Sequence, residues 1–253
     1  MTPETLLIDI GNSNIKWAWV ASVGESLEIS AAPHKEMDIG ALGSHCWGRG
    51  RVPKRVVMAN VAGMELQRQL AGWMGDHWCL RPEIIETQAQ AFGVTLAYRQ
   101  PRQFGVDRWL TLIAAYTMGG PPACIVDSGT ALTIDVIDGE GQHIGGQILP
   151  GIDLMRGALQ AGTRIPSISP VVTTALLGED TDSCIASASL HAAAALVDRV
   201  MVQAKSMIGV VPDLIFTGSG APLLMEVVEH TGELVPDLVM QGLRRVAEEG
   251  NKP

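Results

Sequence analysis

A short stretch near the amino terminus, LLIDIGN at residues 6–12, is echoed as CIVDSGT at residues 124–130. In both copies an apolar run short enough for a buried strand ends in Asp-x-Gly, and Asp127 lies 118 positions after Asp9. Another β-rich run follows each copy, so that strand, polar turn and strand form the common unit. The repetition predicts a duplicated fold with one such unit in each half of the chain.

The segment between the two copies alternates strand-like and helical patterns. Residues 55–60 and 82–86 are β-like, and residues 64–74 between them have a helical period. Such alternation is typical of α/β proteins, in which helices flank a sheet. Each half is therefore expected to contain a mixed sheet covered by helices.

A further helical pattern, over residues 107–118, stops at GGPP over residues 119–122. Glycine and proline end helices and mark connections between structural units. We therefore expect two domains, one over residues 1–118 and one over residues 119–253.

The second half continues with a strand over residues 143–149 and several helices. Apolar residues spaced three and four apart predict a long helix that begins near Ser187 or Ser189, and a last helix is expected over residues 236–248. The long helix is predicted to form the centre of the second core.

The composition limits the kind of protein this is. Of the 253 residues, 47% are hydrophobic and 18% charged, and the formal net charge is -9, which disfavours a nucleic-acid partner. Residues 1–5 lack the basic segment of a secretory signal, and the apolar run that follows is interrupted at Asp9. No apolar stretch reaches the roughly 18 to 20 uncharged residues of a membrane helix. We expect a cytoplasmic protein with no membrane partner.

The four cysteines are far apart and form no C-x-x-C pair: Cys46, Cys79, Cys124 and Cys184. A chain of this length does not need disulfides, so reduced thiols are expected. Zinc at residues 45–46 and 77–79 is a less favoured alternative, because neither segment has the paired spacing of a structural zinc site.

The repeated loops favour phosphate chemistry. A glycine after the aspartate lets an anion approach the backbone amides, and Asp9 or Asp127 could hold a cation directly or through water. An aspartate that simply caps a turn after a strand explains either copy alone better than phosphate binding does, and the equivalent pair favours phosphate binding. Neither a P-loop nor the protein-kinase motifs are present, and no G-x-G-x-x-G follows a strand in the first β-α-β-like segment.

Asp127-Ser128-Gly129-Thr130 also matches the Asp-Ser/Thr-Gly pattern of aspartic proteases, in which two carboxylates share a proton. The first copy disfavours this alternative, because Asp9 is followed by Ile10 in place of a hydroxyl residue. Long alanine-rich helices are also unusual in a mostly β protease.

The ordered motifs resemble the acetate and sugar kinase, Hsp70 and actin superfamily, whose two ribonuclease-H-like (actin-like) halves lie on either side of a cleft. Within that superfamily the chain is similar to type III pantothenate kinases. The segments that carry this resemblance are DIGNS at 9–13, FGVDRW at 104–109, DSGTALTID at 127–135, GGQILPG at 145–151, GEDT at 178–181 and TGSG at 217–220.

The resemblance implies ATP-dependent phosphorylation of pantothenate to 4′-phosphopantothenate, the first step of coenzyme A synthesis. Asp107 matches the catalytic base of the family, and a carboxylate suffices if the alcohol proton leaves late in phosphoryl transfer. Arg108 could bind a phosphate or the carboxylate of the substrate. Taken alone, the pair also fits an ordinary helix cap beside a solvated cation.

The resemblance also assigns roles to residues elsewhere in the chain. Asp127 corresponds to a ligand of a monovalent cation, K⁺ or NH₄⁺, and Asp9 to a residue that holds Mg²⁺ directly or through water. The implied ATP-binding residues are Asp9, Gly11, Asn12, Ser13, Lys16, Gly129, Thr130, Thr133, Gly218 and Gly220. The implied pantothenate-binding residues are Tyr98, Gly105, Asp107, Arg108 and Thr181.

Four positions depart from the pattern of the family. Arg99-Gln100 stands where Asn usually precedes the proline, which leaves the local substrate contacts open. Ser13 replaces Thr, Ser219 replaces Gly and Asp180 replaces Asn. None of these changes removes a group that the chemistry requires.

Two other functions stay open at this point: a non-catalytic ATP-binding regulatory or accessory protein, and a kinase for another small hydroxy acid. Retention of every carboxylate favours a catalyst. The family also implies a homodimer.

Overall fold

The computed structural model describes residues 4–21, 26–35, 37–48, 51–119, 122–165 and 171–250. The elements up to residue 119 are β1 Thr5–Ile10, β2 Asn14–Val20, β3 Ile29–Pro33, α1 Ile39–Trp47, β4 Arg55–Asn60, α2 Met64–Trp78, β5 Glu83–Ile84, β6 Gln90–Ala91, β7 Val94–Thr95, a 3₁₀ turn Pro101–Gln103 and α3 Val106–Gly119. Those that follow are β8 Ala123–Ser128, β9 Ala131–Ile137, β10 His143–Pro150, α4 Ile152–Gly162, α5 Thr181–Ile208, β11 Asp213–Thr217, α6 Ala221–Met225, β12 Glu233–Leu234 and α7 Leu238–Glu249.

The two five-stranded sheets have the same topology. Their strand orders are β3-β2-β1-β4-β5 and β10-β9-β8-β11-β12. In each sheet the strand that carries the Asp-x-Gly sequence is antiparallel to the next strand in the chain and parallel to its other neighbour. The duplicated α/β fold that the repeated sequence predicts is confirmed.

The chain divides into two compact units. The first contains residues 1–92, 98–114 and 237–253, and the second contains residues 93–97 and 115–236. This division differs from the expected boundary at residue 119, because α7 packs against β1 of the first unit. The side chain of Arg55 donates to the carbonyl of Ala247 over 2.7 Å, and a Cβ on Gly242 would lie 2.0 Å from the carbonyl oxygen of Leu110.

In the first unit, one face of the sheet packs against α1 and α2. Leu6, Ile8 and Ile10 alternate along β1 toward this core and are fully buried. The core also contains indole rings in edge or tilted contact, among them Trp47 and Trp73 with centroids 5.9 Å apart. Asp9 therefore lies on the opposite face of β1.

In the second unit, α5 forms the centre of the core, as predicted. Leu190 and Val197 are fully buried and belong to the same cluster as Val126 and Ile134 of the sheet. By length and composition, α5 could cross a membrane, and half of its most apolar window is buried within the protein. The contacts with the sheet account for this apolar face.

Three predicted boundaries need correction. The long helix begins at Thr181, well before Ser187, because Asp180 caps it at a point where the apolar repeat has not yet begun. The last helix begins at Leu238, two residues later than expected. The strand-like segment 82–86 contributes only the two residues of β5.

Candidate active site

The first Asp-x-Gly loop connects β1 to β2. The Gly11 amide donates to the carbonyl of Asn14 over 3.0 Å, which closes the turn. Nε2 of His34 lies 2.8 Å from the carbonyl oxygen of Gly11, so this ring nitrogen carries the hydrogen. Asp9 precedes the turn and is 8% exposed. The loop is thus held both by its own turn and by the side chain of His34, which directly follows β3.

Lys16 lies directly opposite Asp9 in the antiparallel pairing of β1 and β2. Paired residues project from the same face of a sheet, so the two side chains are neighbours. The Lys16 ammonium donates to Oδ1 of Asp237 over 2.6 Å. Lys16 therefore links β2 to the start of α7.

The second Asp-x-Gly loop connects β8 to β9 and is surrounded by backbone. The Gly151 amide donates to the carbonyl of Thr130 over 3.0 Å, and the Gly220 amide donates to the carbonyl of Ser128 over 2.8 Å. A Cβ on Gly151 would lie 2.2 Å from the carbonyl oxygen of Gly129. Three segments distant in sequence therefore approach closely enough to require glycine.

Gly218 approaches the aspartate of this loop. A Cβ added to Gly218 would lie 2.5 Å from Oδ1 of Asp127, and φ of Gly218 is +87°. A Cβ on Gly220 would lie 2.5 Å from Oγ of Ser128. The structure thus brings two of the predicted ATP-binding glycines to the second loop.

Asp107 lies in the first turn of α3. Its Oδ1 accepts from the Arg108 amide over 2.8 Å, and a Cβ on Gly105 would lie 2.4 Å from the same oxygen. Gly105 therefore leaves the space that the carboxylate occupies. Amides at the start of a helix carry partial positive charge and stabilise a nearby anion.

Arg108 is 5% exposed and lies among aromatic side chains. Its guanidinium carbon is 4.4 Å from the centroid of Phe104 and 5.9 Å from that of Tyr98. One guanidinium nitrogen donates to the Tyr98 hydroxyl over 3.3 Å. Such contacts hold a planar cation in one orientation.

Thr181 is exposed and is the first residue of α5. The preceding Gly178 packs against that end of the helix, since a Cβ there would lie 2.3 Å from the amide nitrogen of Cys184. Thr181 lies in the second unit, whereas Tyr98, Gly105 and Arg108 lie in the first.

The described ranges contain no group of three or more His, Cys, Asp or Glu side chains arranged to hold a metal ion. Burial raises the pKa of the Cys46 thiol to about 11, which opposes the thiolate form that zinc requires. A single carboxylate such as that of Asp9 suits Mg²⁺, which usually takes one or two carboxylates together with water and substrate phosphate.

Sequence reasoning missed His34 and Asp237. Both act through side-chain contacts with residues distant in the chain, and neither lies in a local motif. The glycines around the second loop were found because Gly218 and Gly220 follow a strand within a short motif.

Comparison with known proteins decides the family. The sequence profile of type III pantothenate kinase matches residues 5–203. The chain belongs to the type III pantothenate kinase family. A relative of that name from Nitrosococcus oceani is 36% identical, over 98% of this chain and 95% of the relative.

Solved structures with low sequence identity share the fold. A ROK-family glucokinase from Streptomyces griseus, in complex with glucose and AMPPNP, has a TM-score of 0.54 at 12% identity and covers 98% of this chain and 100% of its own. Acetate kinase from Porphyromonas gingivalis has a TM-score of 0.53 at 10% identity and covers 98% of this chain and 99% of its own. The predicted fold class, a duplicated α/β fold of the actin-like type, is thereby confirmed.

Proposed function

We propose that this chain transfers the γ-phosphoryl group of ATP to the primary hydroxyl of pantothenate, with Asp107 as the general base. Membership of the type III pantothenate kinase family supports the reaction. The observation that carries the role of Asp107 is its carboxylate in the first turn of α3, in the space left by Gly105.

In this proposal the two Asp-x-Gly loops bind the phosphates of ATP. Backbone amides at the Asn12–Ser13 turn and at Thr130 would donate to phosphate oxygens, and Lys16 adds positive charge beside the first loop. The Gly129 amide closes the second turn by donating to the Ala131 carbonyl over 3.0 Å, and its lack of a side chain leaves room for the phosphate. Gly218 and Gly220 leave room for the adenine. Phosphoryl transfer depends mainly on positioning and charge neutralisation, which fixed amides and cations supply.

Asp9 would hold Mg²⁺ through water, and Asp127 would hold K⁺ or NH₄⁺. Carboxylate oxygens are suitable ligands for these hard cations. When bound, such cations neutralise charge that develops on the phosphate oxygens.

At the acceptor end, Tyr98, Gly105 and Arg108 would bind pantothenate together with Thr181. The guanidinium of Arg108, held by its aromatic neighbours, suits the carboxylate of pantothenate. The pantothenate hydroxyl would donate its proton to Asp107 as its oxygen bonds to the γ-phosphorus and the bond to ADP breaks. Arg99, which departs from the pattern of the family, is exposed and next to Tyr98 in the chain.

We also propose that the chain forms a homodimer in the cytoplasm. Several large apolar side chains of the second unit are exposed, among them Leu176 at 67% and Leu177 at 82%. Exposed apolar side chains close together in sequence favour burial against a second copy.

The test is an assay of ADP release with and without pantothenate, in potassium and in sodium, and with a panel of other hydroxy acids. Asp107→Asn should lower kcat by about 10²- to 10⁴-fold, the usual contribution of a general base, and leave ATP binding nearly unchanged.

Glu65→Gln is the matched control, because Glu65 lies in the first turn of α2 and should leave kcat unchanged. Full activity of Asp107→Asn would refute its role as the base. ADP release that does not depend on pantothenate would refute the proposed acceptor.

A further inference from the structure

The Lys16 ammonium has two carboxylates on its side of the first sheet. Asp9 is its partner in the strand register, and Asp237 accepts its hydrogen bond at 2.6 Å. Asp9 is 8% exposed, whereas the side chains of Lys16 and Asp237 are 34% and 30% exposed. In the structure, therefore, the ammonium points to the carboxylate at the start of α7.

Asp237, which accepts the hydrogen bond from Lys16, has an uncommon backbone conformation. It precedes α7 as the N-cap residue, with φ 56° and ψ 37°, in the left-handed region that few residues other than Gly, Asn and Asp adopt. An aspartate at this position ordinarily accepts a hydrogen bond from an amide of the first turn. Here the side chain makes no such capping bond and pairs with Lys16.

Stability alone does not explain this arrangement. An ion pair whose side chains are about one-third exposed contributes about 0.2 to 1 kcal/mol, no more than the capping bond of about 1 kcal/mol that Asp237 gives up. An uncommon backbone conformation kept together with a forgone capping bond indicates that the side chain positions another group. The group that Asp237 positions is the ammonium of Lys16.

We propose that Asp237 is a positioning residue for nucleotide binding, which holds the Lys16 ammonium beside the first phosphate loop and away from Asp9. The inference rests on the proposed function, in which Lys16 and Asp9 both serve bound MgATP. An ammonium has three N–H donors, so that Lys16 can keep Asp237 as a partner while it donates to a phosphate oxygen.

Without the carboxylate at position 237, Asp9 becomes the neighbouring carboxylate for Lys16. Pairing of Lys16 with Asp9 would withdraw a cation from the phosphates and a carboxylate from the magnesium site. Asp237→Asn is therefore expected to weaken MgATP binding about two- to five-fold, the range that an exposed ion pair supports. Asparagine tolerates the left-handed conformation, so this variant changes the charge and keeps the backbone.

The experiment is a calorimetric titration of the full chain with MgATP in the absence of pantothenate. The variants are Asp237→Asn, Asp237→Glu, Lys16→Met and the double variant Asp237→Asn/Lys16→Met. Asp38→Asn is the control, because Asp38 is also an N-cap and its side chain caps α1 through the Ala41 amide.

Asp237→Asn and Lys16→Met should each raise the Kd, Asp237→Glu should largely restore it, and the double variant should match Lys16→Met alone. An unchanged Kd in Asp237→Asn, or losses that add fully in the double variant, would overturn the role of Asp237 and leave the kinase reaction untouched. If Lys16→Met has no effect either, the role of Lys16 in the proposed ATP site fails as well. Pantothenate phosphorylation is tested separately, by the assay of ADP release.

Discussion

Individual glycines determine how closely the backbone approaches the second Asp-x-Gly loop. Gly218 combines a positive φ of +87° with a Cβ position 2.5 Å from Oδ1 of Asp127. Gly209, which ends α5, has nearly the same φ of +88° but no atom within 4 Å of its Cβ position. A substitution at Gly209 therefore introduces backbone strain alone, whereas one at Gly218 introduces both backbone strain and steric crowding.

We predict that Gly218→Ala and Gly209→Ala both lower the free energy of unfolding, by about 1 kcal/mol or more, because alanine is strained at positive φ. Only Gly218→Ala should also weaken ATP binding, since its methyl group must displace Asp127. Chemical denaturation and calorimetric titration of both variants check this. Equal ATP affinities in the two variants would contradict the crowding argument.

At the level of residues, the sequence predicted those groups whose chemistry is contained in a local motif. Asp107 and Gly105 are two positions apart, so the glycine that leaves room for the carboxylate lies in the same short motif. The contact of His34 with Gly11 and the ion pair of Lys16 with Asp237 join positions 23 and 221 residues apart. No short-range pattern marks such partners.

Among the elements, α5 shows how a helix cap sets the position of Thr181, a proposed pantothenate-binding residue. Asp180 accepts from the Ser183 amide over 2.8 Å, and the Ser183 hydroxyl accepts from the Asp180 amide over 3.1 Å. This reciprocal capping box fixes Thr181 as the first residue of the helix. The aspartate that departs from the usual asparagine of the family thus keeps the capping function.

Hydrogen bonds from the Ser183 amide and then from its hydroxyl lower the pKa of Asp180 below its ordinary 3.8. A carboxyl whose pKa falls on folding stabilises the protein above its unfolded pKa, and this stability is lost as the pH falls through the folded pKa. Asp180→Ala should therefore lower the Tm at pH 7 and raise KM for pantothenate. The difference in Tm should narrow as the pH falls from about 5 to 3.

Thermal denaturation followed by circular dichroism at several pH values measures the first effect, and the assay of ADP release measures the second. Asp138→Ala is a useful comparison, since Asp138 accepts from the amides of Glu140 and Gln142 in a turn and caps no helix. It should leave KM unchanged. A difference in Tm that stays constant down to pH 3 would exclude the ionised cap.

The repeated strand, turn and strand were predictable because each is a short local pattern: an apolar run, then Asp-x-Gly, then a β-rich run. The place of α7 was not predictable, because an amphipathic helix fits any exposed apolar face. Tertiary contacts assign α7 to the first unit, and they join residues far apart in the sequence. The guanidinium of Arg55 bonds the Ala247 carbonyl near its end and pairs with Glu83 over 2.7 Å.

For the whole molecule, the net charge of -9 means that a polyphosphate must be bound against an overall repulsion. The groups proposed to meet the phosphates are backbone amides at the two loops and the Lys16 ammonium, which Asp237 holds. Nucleotide affinity should therefore depend on these few groups much more than on the average charge of the surface.

The exposed apolar side chains of the second unit favour a dimer in which they contact a second copy of the chain. Leu177 is 82% exposed, and its burial against a second copy would contribute about 1.5 to 3 kcal/mol. Leu177→Asp should therefore shift the protein from dimer to monomer, whereas Met64→Asp, at a residue 83% exposed in the first turn of α2, should leave it dimeric. Light scattering coupled to size-exclusion chromatography measures the mass of each. A dimer that withstands Leu177→Asp would place the interface on another surface.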